Sequence, residues 1–276
     1  MQIFVLGMHR SGTSALARLL NLSGCEFGPP EAAMPPDVDN PLGFWERMDA
    51  YELHEWLLGT SGSAWDRPLA FDPFDVSASV RVGFLERAAR IVESFPSARP
   101  WFLKDPRLCL TLPLWRHMAI EPVCVHILRH PLEVASSLAA RNGLPIGVGL
   151  ALWELYLVRA RRSAKGIPWV GVRHRDLLAD PVGTLADAVG GLRASGVTGI
   201  RMPVARDVTT FISTSLHRHR WTRPDLSGWI DAPQVRLFRM IDVAGDQSIP
   251  DEPSDATIDA LEPHSVAQAF KPLASA

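Results

Sequence analysis

The residues most able to do chemistry lie in a glycine-bounded turn near the start of the chain. Residues 7–14 read Gly-Met-His-Arg-Ser-Gly-Thr-Ser, and they follow the apolar run 2–5 and lead into the helical pattern 15–20. Glycines let such a turn fold tightly with its N–H groups pointing inward, and the N-terminus of the following helix adds partial positive charge. The sequence therefore predicts a cradle for a phosphate-like anion. The alternative is a tight strand-to-helix turn that binds nothing.

The turn differs at one informative position from G-x-x-x-x-G-K-[ST], the phosphate-binding loop of proteins that bind nucleoside triphosphates. Gly7 and Gly12 fit the pattern, and Ser14 takes the hydroxyl position. Thr13, however, replaces the lysine that reaches the β- and γ-phosphates, and the cation is instead Arg10 inside the turn. This pattern favours a ligand whose terminal group is anionic but is not a magnesium-bound triphosphate. A sulfate ester is such a ligand.

A second pair of anion-binding candidates follows the apolar run 123–128. Arg129 ends that predicted strand, and Ser137 lies eight residues later on a predicted helix. A guanidinium fork and a hydroxyl group can converge there on one phosphate. In the alternative interpretation, Arg129 caps carbonyl groups at the surface and Ser137 is an ordinary helix residue.

These segments together resemble bacterial sulfotransferases that use 3′-phosphoadenosine 5′-phosphosulfate (PAPS). Residues 10–14 are similar to the family's 5′-phosphosulfate loop, and Arg129 with Ser137 is similar to its 3′-phosphate motif. Residues 103–107 and 172–181 extend the resemblance, the latter with His-Arg where Tyr-Glu is common in the family. The resemblance implies PAPS as co-substrate, 3′-phosphoadenosine 5′-phosphate (PAP) as product, a hydroxyl group as acceptor, and no metal.

The resemblance also implies roles for individual residues. Lys104 occupies the position of a lysine near the transferred group in cytosolic sulfotransferases, and Arg107 either serves the same anion or pairs with Asp105. Arg218 and Arg220 are lid candidates over the 3′-phosphate, or else part of a solvated basic loop. The expected cofactor-binding residues are Arg10, Ser11, Gly12, Thr13, Ser14, Arg129, Ser137, Arg218 and Arg220.

The acceptor must lose a proton, so a general base is expected near it. The cytosolic branch of the family has a histidine two residues after the lysine, where this chain has Pro106. Carbohydrate and tyrosyl-protein sulfotransferases instead place a glutamate beyond the loop. Glu46 is favoured over Glu31, because the aromatic neighbours of Glu46 would desolvate its carboxyl group and raise its pKa. The expected catalytic residues are Glu46, Arg10, Lys104 and Glu31. The alternatives left open are Asp105, His9 or His54 as the base, or no general base at all.

The composition is that of an ordinary globular protein, with 276 residues, 47% of them apolar and 21% charged. A net charge of -2 provides no general attraction to nucleic acid, so an anion site must come from local cations. No leader or membrane-spanning run stands out, and Cys25, Cys109 and Cys124 lack the spacing of a metal or redox motif. We expect a cytoplasmic protein with a small-molecule acceptor, and the family's frequent dimers suggest a homodimer.

Short buried runs of strand type alternate with amphipathic helical patterns along the chain. Strands are expected near 101–103, 123–128 and 169–172, which predicts an α/β fold with a doubly wound, mainly parallel central sheet flanked by helices. This is the P-loop-like fold that the resemblance implies. We expect one domain over residues 1–241 and an irregular or mobile, proline-rich tail over residues 242–276.

Two other functions stay open on the sequence. A P-loop kinase or NTPase would hold a metal with an aspartate near the end of the strand at Leu128, where this chain has Arg129. A non-catalytic module that binds PAP or another adenine nucleotide would have the same two anion motifs. Such a module would bind PAP tightly and transfer nothing to an acceptor.

Overall fold

The structure is a computed structural model that describes residues 1–37, 42–96, 98–216 and 226–269. The strands are β1 (Gln2–Leu6), β2 (Trp101–Lys104), β3 (Val123–Leu128) and β4 (Trp169–Arg173). The α-helices in these ranges are α1 (Thr13–Leu22), α2 (Met48–Gly59), α3 (Ala78–Glu93), α4 (Leu108–Trp115), α5 (Pro131–Asn142), α6 (Ile146–Ser163), α7 (His174–Ala179), α8 (Pro181–Ala194), α9 (Ala205–Leu216), α10 (Pro233–Ala244) and α11 (Asp255–Ala269). Within the same ranges, no helix combines the length and apolar character needed to cross a membrane.

The strands form one parallel sheet in the order β2-β1-β3-β4. Val5 of β1 lies opposite Lys104 of β2 and Val125 of β3. Because the strands are parallel, their carboxyl ends meet at one edge of the sheet, which is where ligands bind in folds of this kind. That edge collects the glycine turn after β1, Lys104 at the end of β2, Arg129 after β3 and His174 after β4. The predicted α/β class is confirmed.

Alternate residues of the strands face two hydrophobic cores. Phe4 and Leu6 of β1 pack into a core formed mainly with α2 to α6, α10 and α11. Ile3 and Val5 of the same strand pack into a second core with α1, α8 and α9. A sheet that is covered on both faces needs strands that are apolar at nearly every position, which explains the continuous apolar runs in the sequence.

The C-terminal part of the chain differs from the sequence prediction. An irregular or mobile tail was expected from residue 242, but α11 is a regular helix that packs along α6, and Leu261 within it is fully buried. The prediction was wrong for these residues because it rested on apolar periodicity that fades among the prolines, whereas Pro263 lies inside the helix. Residues 270–276 lie outside the described part of the chain, and the domain boundary at residue 241 stays a prediction.

A buried carboxylate anchors this helix. Glu154 of α6 is 2% exposed, and it accepts hydrogen bonds from the Ser254 N–H (2.6 Å) and from Thr257 Oγ1 (2.6 Å) at the start of α11. Gln234 Nε2 of α10 donates to the same carboxylate at 2.9 Å. A negative charge is favoured at a helix N-terminus by the unpaired N–H groups and the helix dipole. Glu154 therefore ties α6, α10 and α11 together.

We expect Glu154→Gln to lower the free energy of unfolding by about 1–3 kcal/mol. In either orientation of the new amide, its NH₂ group replaces an oxygen that accepts from the Ser254 N–H or from Gln234 Nε2. Two donors then face each other, and one hydrogen bond is lost. The change is measured by urea denaturation. Glu262→Gln, at an exposed position of α11, is the control and should stay within about 0.5 kcal/mol of the wild type. Equal stability of the two variants would contradict the anchoring role.

Candidate functional site

The turn after β1 is a tight loop fastened to the helix beneath it. The Gly7 N–H donates to Cys109 Sγ of α4 at 3.3 Å. Arg10 has a left-handed backbone with φ of 67°, and Gly12, immediately before α1, has φ of 91°. Since α1 begins directly after Gly12, its unpaired N–H groups and the positive end of its dipole belong to this loop.

A glycine is required at position 12 by a close approach as well as by its backbone conformation. A Cβ atom on Gly12 would lie 2.7 Å from Cδ2 of His174, the first residue of α7. Burial, together with the nearby Arg129, lowers the pKa of His174 to about 4, so its imidazole is neutral at pH 7. His174 therefore forms a wall of the loop. His174 is not among the site residues predicted from the sequence, and the signal for it was its departure from the family's usual tyrosine.

The two predicted anion motifs contact each other. Arg10 Nε donates to Ser137 Oγ at 2.9 Å, and Arg129 Nη1 donates to the backbone oxygen of Arg10 at 2.8 Å. Arg129 Nε also lies 2.8 Å from Glu133 Oε2, and Glu133 is 49% exposed. The structure therefore brings Arg10, Arg129 and Ser137 together at the carboxyl edge of the sheet.

Lys104 connects this loop to the favoured base. Its side chain is 1% exposed, and its Nζ donates to Ser14 Oγ of α1 at 3.2 Å and to the Phe44 backbone oxygen at 3.0 Å. The third ammonium hydrogen is directed to Glu46, with which Lys104 forms a short ion pair. A cation and a carboxylate therefore lie in contact at the end of the anion loop.

The environment of Glu46 matches the expected rise in pKa. Burial raises the pKa of this carboxyl group, the attraction of Lys104 opposes part of the rise, and the net pKa lies above the ordinary value. Glu31, the second base candidate, is exposed in a short 3₁₀ turn (Pro30–Ala32). The geometry favours Glu46 over Glu31 as the carboxylate that acts with Lys104.

The segment that carries Glu46 is held firmly on both sides. The Met34 N–H donates to the Glu46 backbone oxygen at 2.7 Å. Trp45 has φ of 56°, which is a strained left-handed conformation for a bulky residue. Arg47 is buried, and its Nη2 donates to Ser94 Oγ at 2.9 Å. Strain of this kind persists only where the surrounding structure enforces it.

The other base candidates are Asp105, which follows Lys104 directly in the chain, His54, which contacts Asp105, and His9. Arg107 Nη1 is 3.2 Å from Asp105 Oδ1, which is the contact that the pairing alternative for Arg107 predicts. Although burial alone would raise it, Arg107 and His54 hold the pKa of Asp105 well below its usual range. The ring of His9 packs on Trp65 at a centroid distance of 4.6 Å, and burial lowers the pKa of this histidine.

Two of the expected residues cannot be placed. Arg218 and Arg220 lie outside the described residues, so their lid role stays a prediction.

Among the residues that the structure describes, no group of three or more His, Cys, Asp and Glu side chains is arranged to hold a metal ion. The cysteines are buried thiols, and burial raises the pKa of each to about 12.

Comparison with known proteins connects this geometry to a family. The model of the sulfotransferase family matches residues 2–192, a range that includes every expected site residue except Arg218 and Arg220. No curated protein sequence matches the chain significantly.

Several solved structures are similar to this chain at low sequence identity. The sulfotransferase domain of the Synechococcus PCC 7002 olefin synthase is 16% identical, with a TM-score of 0.47 and coverage of 96% of this chain and 94% of that one. The sulfotransferase domain from the curacin biosynthetic pathway is 14% identical, with a TM-score of 0.44 and coverage of 95% and 96%. Sulfotransferase STF1 from Mycobacterium tuberculosis H37Rv is 17% identical, with a TM-score of 0.42 and coverage of 78% and 71%.

The close approach at Gly12 predicts a measurable cost for any side chain there. Gly12→Ala should lower the free energy of unfolding by about 2–4 kcal/mol, from left-handed strain and from overlap with His174. Gly143→Ala is the matched control, because Gly143 has φ of 68° with open space around it, and it should lose only about 1–2 kcal/mol. Urea denaturation measures both values.

A second variant separates the cost of the left-handed backbone at position 12 from the cost of steric overlap with His174. In the Gly12→Ala protein, His174→Ala should restore most of the additional loss, because it removes the ring that the new methyl group meets. If Gly12→Ala and Gly143→Ala were equally stable, His174 would not form a wall of the loop.

Proposed function

Because the chain belongs to the sulfotransferase family, we propose that it transfers the sulfuryl group of PAPS to a hydroxyl group of a small-molecule, carbohydrate or lipid acceptor. The observation that carries this proposal is the meeting of the anion loop, with Arg10 and Arg129, and the Lys104–Glu46 pair at one edge of the sheet. The anion loop, with Arg10 and Arg129, can hold a doubly anionic donor at this edge. The Lys104–Glu46 pair can serve the acceptor.

The loop and the start of α1 are suited to the 5′ end of the donor. Sulfuryl transfer, by analogy with phosphoryl transfer, is expected to be loose and in line, with negative charge growing on the leaving phosphate. Arg10, the loop N–H groups and the dipole of α1 would stabilise that charge. Thr13 and Ser14 add hydroxyl donors at the same helix start.

Arg129 and Ser137 are suited to the 3′-phosphate. The Arg129–Glu133 ion pair is partly exposed, with Glu133 49% exposed, and such pairs contribute little stability. A phosphate dianion can therefore take the place of Glu133 on the guanidinium. Arg10 would remain held at the boundary between the two phosphate positions by its contact with Ser137.

Glu46 is placed to receive the proton of the acceptor. As the acceptor oxygen forms its bond to sulfur, its proton passes to a carboxylate oxygen of Glu46, and the bond from sulfur to the phosphate oxygen of PAP breaks. Lys104 neutralises charge between the carboxylate and the transferred group, because it already contacts both Glu46 and Ser14. The positive charge for this step then comes from protein side chains and α1.

The first test of this proposal is recognition of the 3′-phosphate. Isothermal titration calorimetry should show PAP binding at least about tenfold more tightly than AMP, a difference of about 1.4 kcal/mol. Arg129→Ala should remove most of that preference, and it should weaken AMP binding less than PAP binding, because Arg129 also donates to the Arg10 backbone oxygen in the loop. Arg175→Ala, which removes an exposed guanidinium of α7, is the charge-matched control and should keep the preference. Equal affinities of the wild-type protein for PAP and AMP would contradict the proposal.

The second test concerns the base. Glu46→Gln should lower kcat by roughly 10²–10⁴-fold while PAP affinity stays nearly constant, because the amide cannot take up a proton. Wild-type turnover should be lost on acidification as Glu46 becomes protonated. This loss should occur above the ordinary glutamate pKa, because burial raises the pKa of this carboxyl group. The Gln variant should lack this acid limb.

The assay is transfer of label from ³⁵S-PAPS to a panel of alcohols, phenols and sugars. Glu31→Gln, at the exposed second candidate, is the control and should turn over almost normally. Near-normal kcat in Glu46→Gln would remove Glu46 from the mechanism. Tight PAP binding without transfer to any acceptor would instead favour a non-catalytic PAP-binding module.

A further inference from the structure

A chain of buried polar side chains begins directly after Lys104. Asp105, His54 and Trp115 are each 0–1% exposed. Trp115 Nε1 donates to His54 Nε2 at 2.7 Å, and His54 Nδ1 lies 3.1 Å from Asp105 Oδ2. Nothing in the proposed transfer step uses these groups.

Trp115 determines which nitrogen of His54 carries a proton. An indole N–H can only donate, so Nε2 of His54 must present its lone pair to Trp115, and its proton must sit on Nδ1, facing Asp105. In the described part of the chain, no other group hydrogen-bonds to His54 Nδ1 or Asp105 Oδ2. His54 is therefore not available as a general base, since both of its nitrogens are engaged inside the core.

The other oxygen of Asp105 closes the turn that follows β2. Asp105 Oδ1 accepts from the Arg107 N–H at 2.8 Å and from Arg107 Nη1 at 3.2 Å. Arg107 Nε in turn donates to Glu55 Oε1 at 2.5 Å. Asp105 therefore fixes the turn immediately after Lys104. The turn is joined to α2 by two contacts, Asp105 with His54 and Arg107 with Glu55.

The position of α2 explains what this connection does. His54 and Glu55 both belong to α2, and α2 begins at Met48, directly beyond the segment that carries Glu46. The turn after Lys104 and the helix after Glu46 are thus fastened together by buried contacts. We therefore expect that a loosening of these contacts would shift Lys104 relative to Glu46.

We propose that His54, oriented by Trp115, is a positioning residue that fixes Asp105 on α2 and thereby sets the geometry of the Lys104–Glu46 pair for transfer. A buried carboxylate and imidazole cost several kcal/mol to desolvate, and apolar side chains of similar volume would fill the space without that cost. The protein bears this desolvation cost next to the Lys104–Glu46 pair, whose geometry matters most for the proposed transfer. The inference rests on the proposed function, because its consequence is a rate.

The experiment compares two replacements of His54 with a matched control. His54→Leu should lower kcat by about tenfold or more, because small displacements of reacting groups are costly, while KM for PAPS and PAP affinity change less than about twofold. In His54→Asn, the amide NH₂ takes the place of Nδ1–H and should restore most of the lost kcat. His126→Leu, which removes another buried histidine stacked on Trp169, should leave kcat unchanged.

A third variant keeps the test decisive if His54→Leu fails to fold, as judged by circular dichroism. Trp115→Phe removes the indole N–H together with part of the buried ring and leaves His54 free to take the other tautomer, so it should lower kcat several-fold, again at nearly constant PAP affinity. Wild-type kcat in Trp115→Phe or in folded His54→Leu would overturn the proposal, as would equal kcat in the Leu and Asn variants.

Calorimetry with PAP separates this failure from failure of the proposed function. If the wild-type protein binds PAP no better than AMP, the sulfotransferase mechanism and the positioning role are both overturned. If the wild-type protein binds PAP more tightly than AMP and the His54 and Trp115 variants turn over PAPS at the wild-type rate, only the positioning role is overturned.

Discussion

The buried ion pair between Lys104 and Glu46 is the interaction on which the candidate site depends. Removing an ammonium and a carboxylate from water is costly unless hydrogen bonds and opposite charge compensate for it. Here the compensation comes from Ser14 at the start of α1 and from the Phe44 backbone oxygen, as well as from the pair itself. Because these partners come from separate parts of the chain, satisfying the charges brings the anion loop and the base candidate together.

The cationic part of the site is preorganised in the same way. Arg10 is held by Ser137, and Arg129 is held by the backbone oxygen of Arg10, so each anion-binding candidate fixes another. His174 closes the loop against Gly12, where no side chain fits. Donors that are already aligned need little rearrangement when charge develops, and this is the main source of electrostatic catalysis.

Much of the fold was predictable because its elements have strong local patterns. The buried runs expected near 101–103 and 123–128 are strands β2 and β3, and Ser137 lies on a helix, α5, as predicted. The C-terminal helix α11 was not predictable, because its stability comes from partners elsewhere. Leu261 is buried against other helices, and Glu154 binds the start of α11 from α6. Tertiary contacts of this kind override weak local preferences.

The sequence by itself determined the glycine loop, the placement of Arg10 within it, and the resemblance to sulfotransferases, since each is written in a few consecutive residues. Only the tertiary structure decided that Glu46 rather than Glu31 meets Lys104, that Arg107 pairs with Asp105, and that Arg10 reaches Ser137. Glu46 and Lys104 are 58 positions apart, and Arg10 and Ser137 are 127 positions apart. Contacts at such separations depend on how the helices pack on the sheet, and no local pattern contains that information.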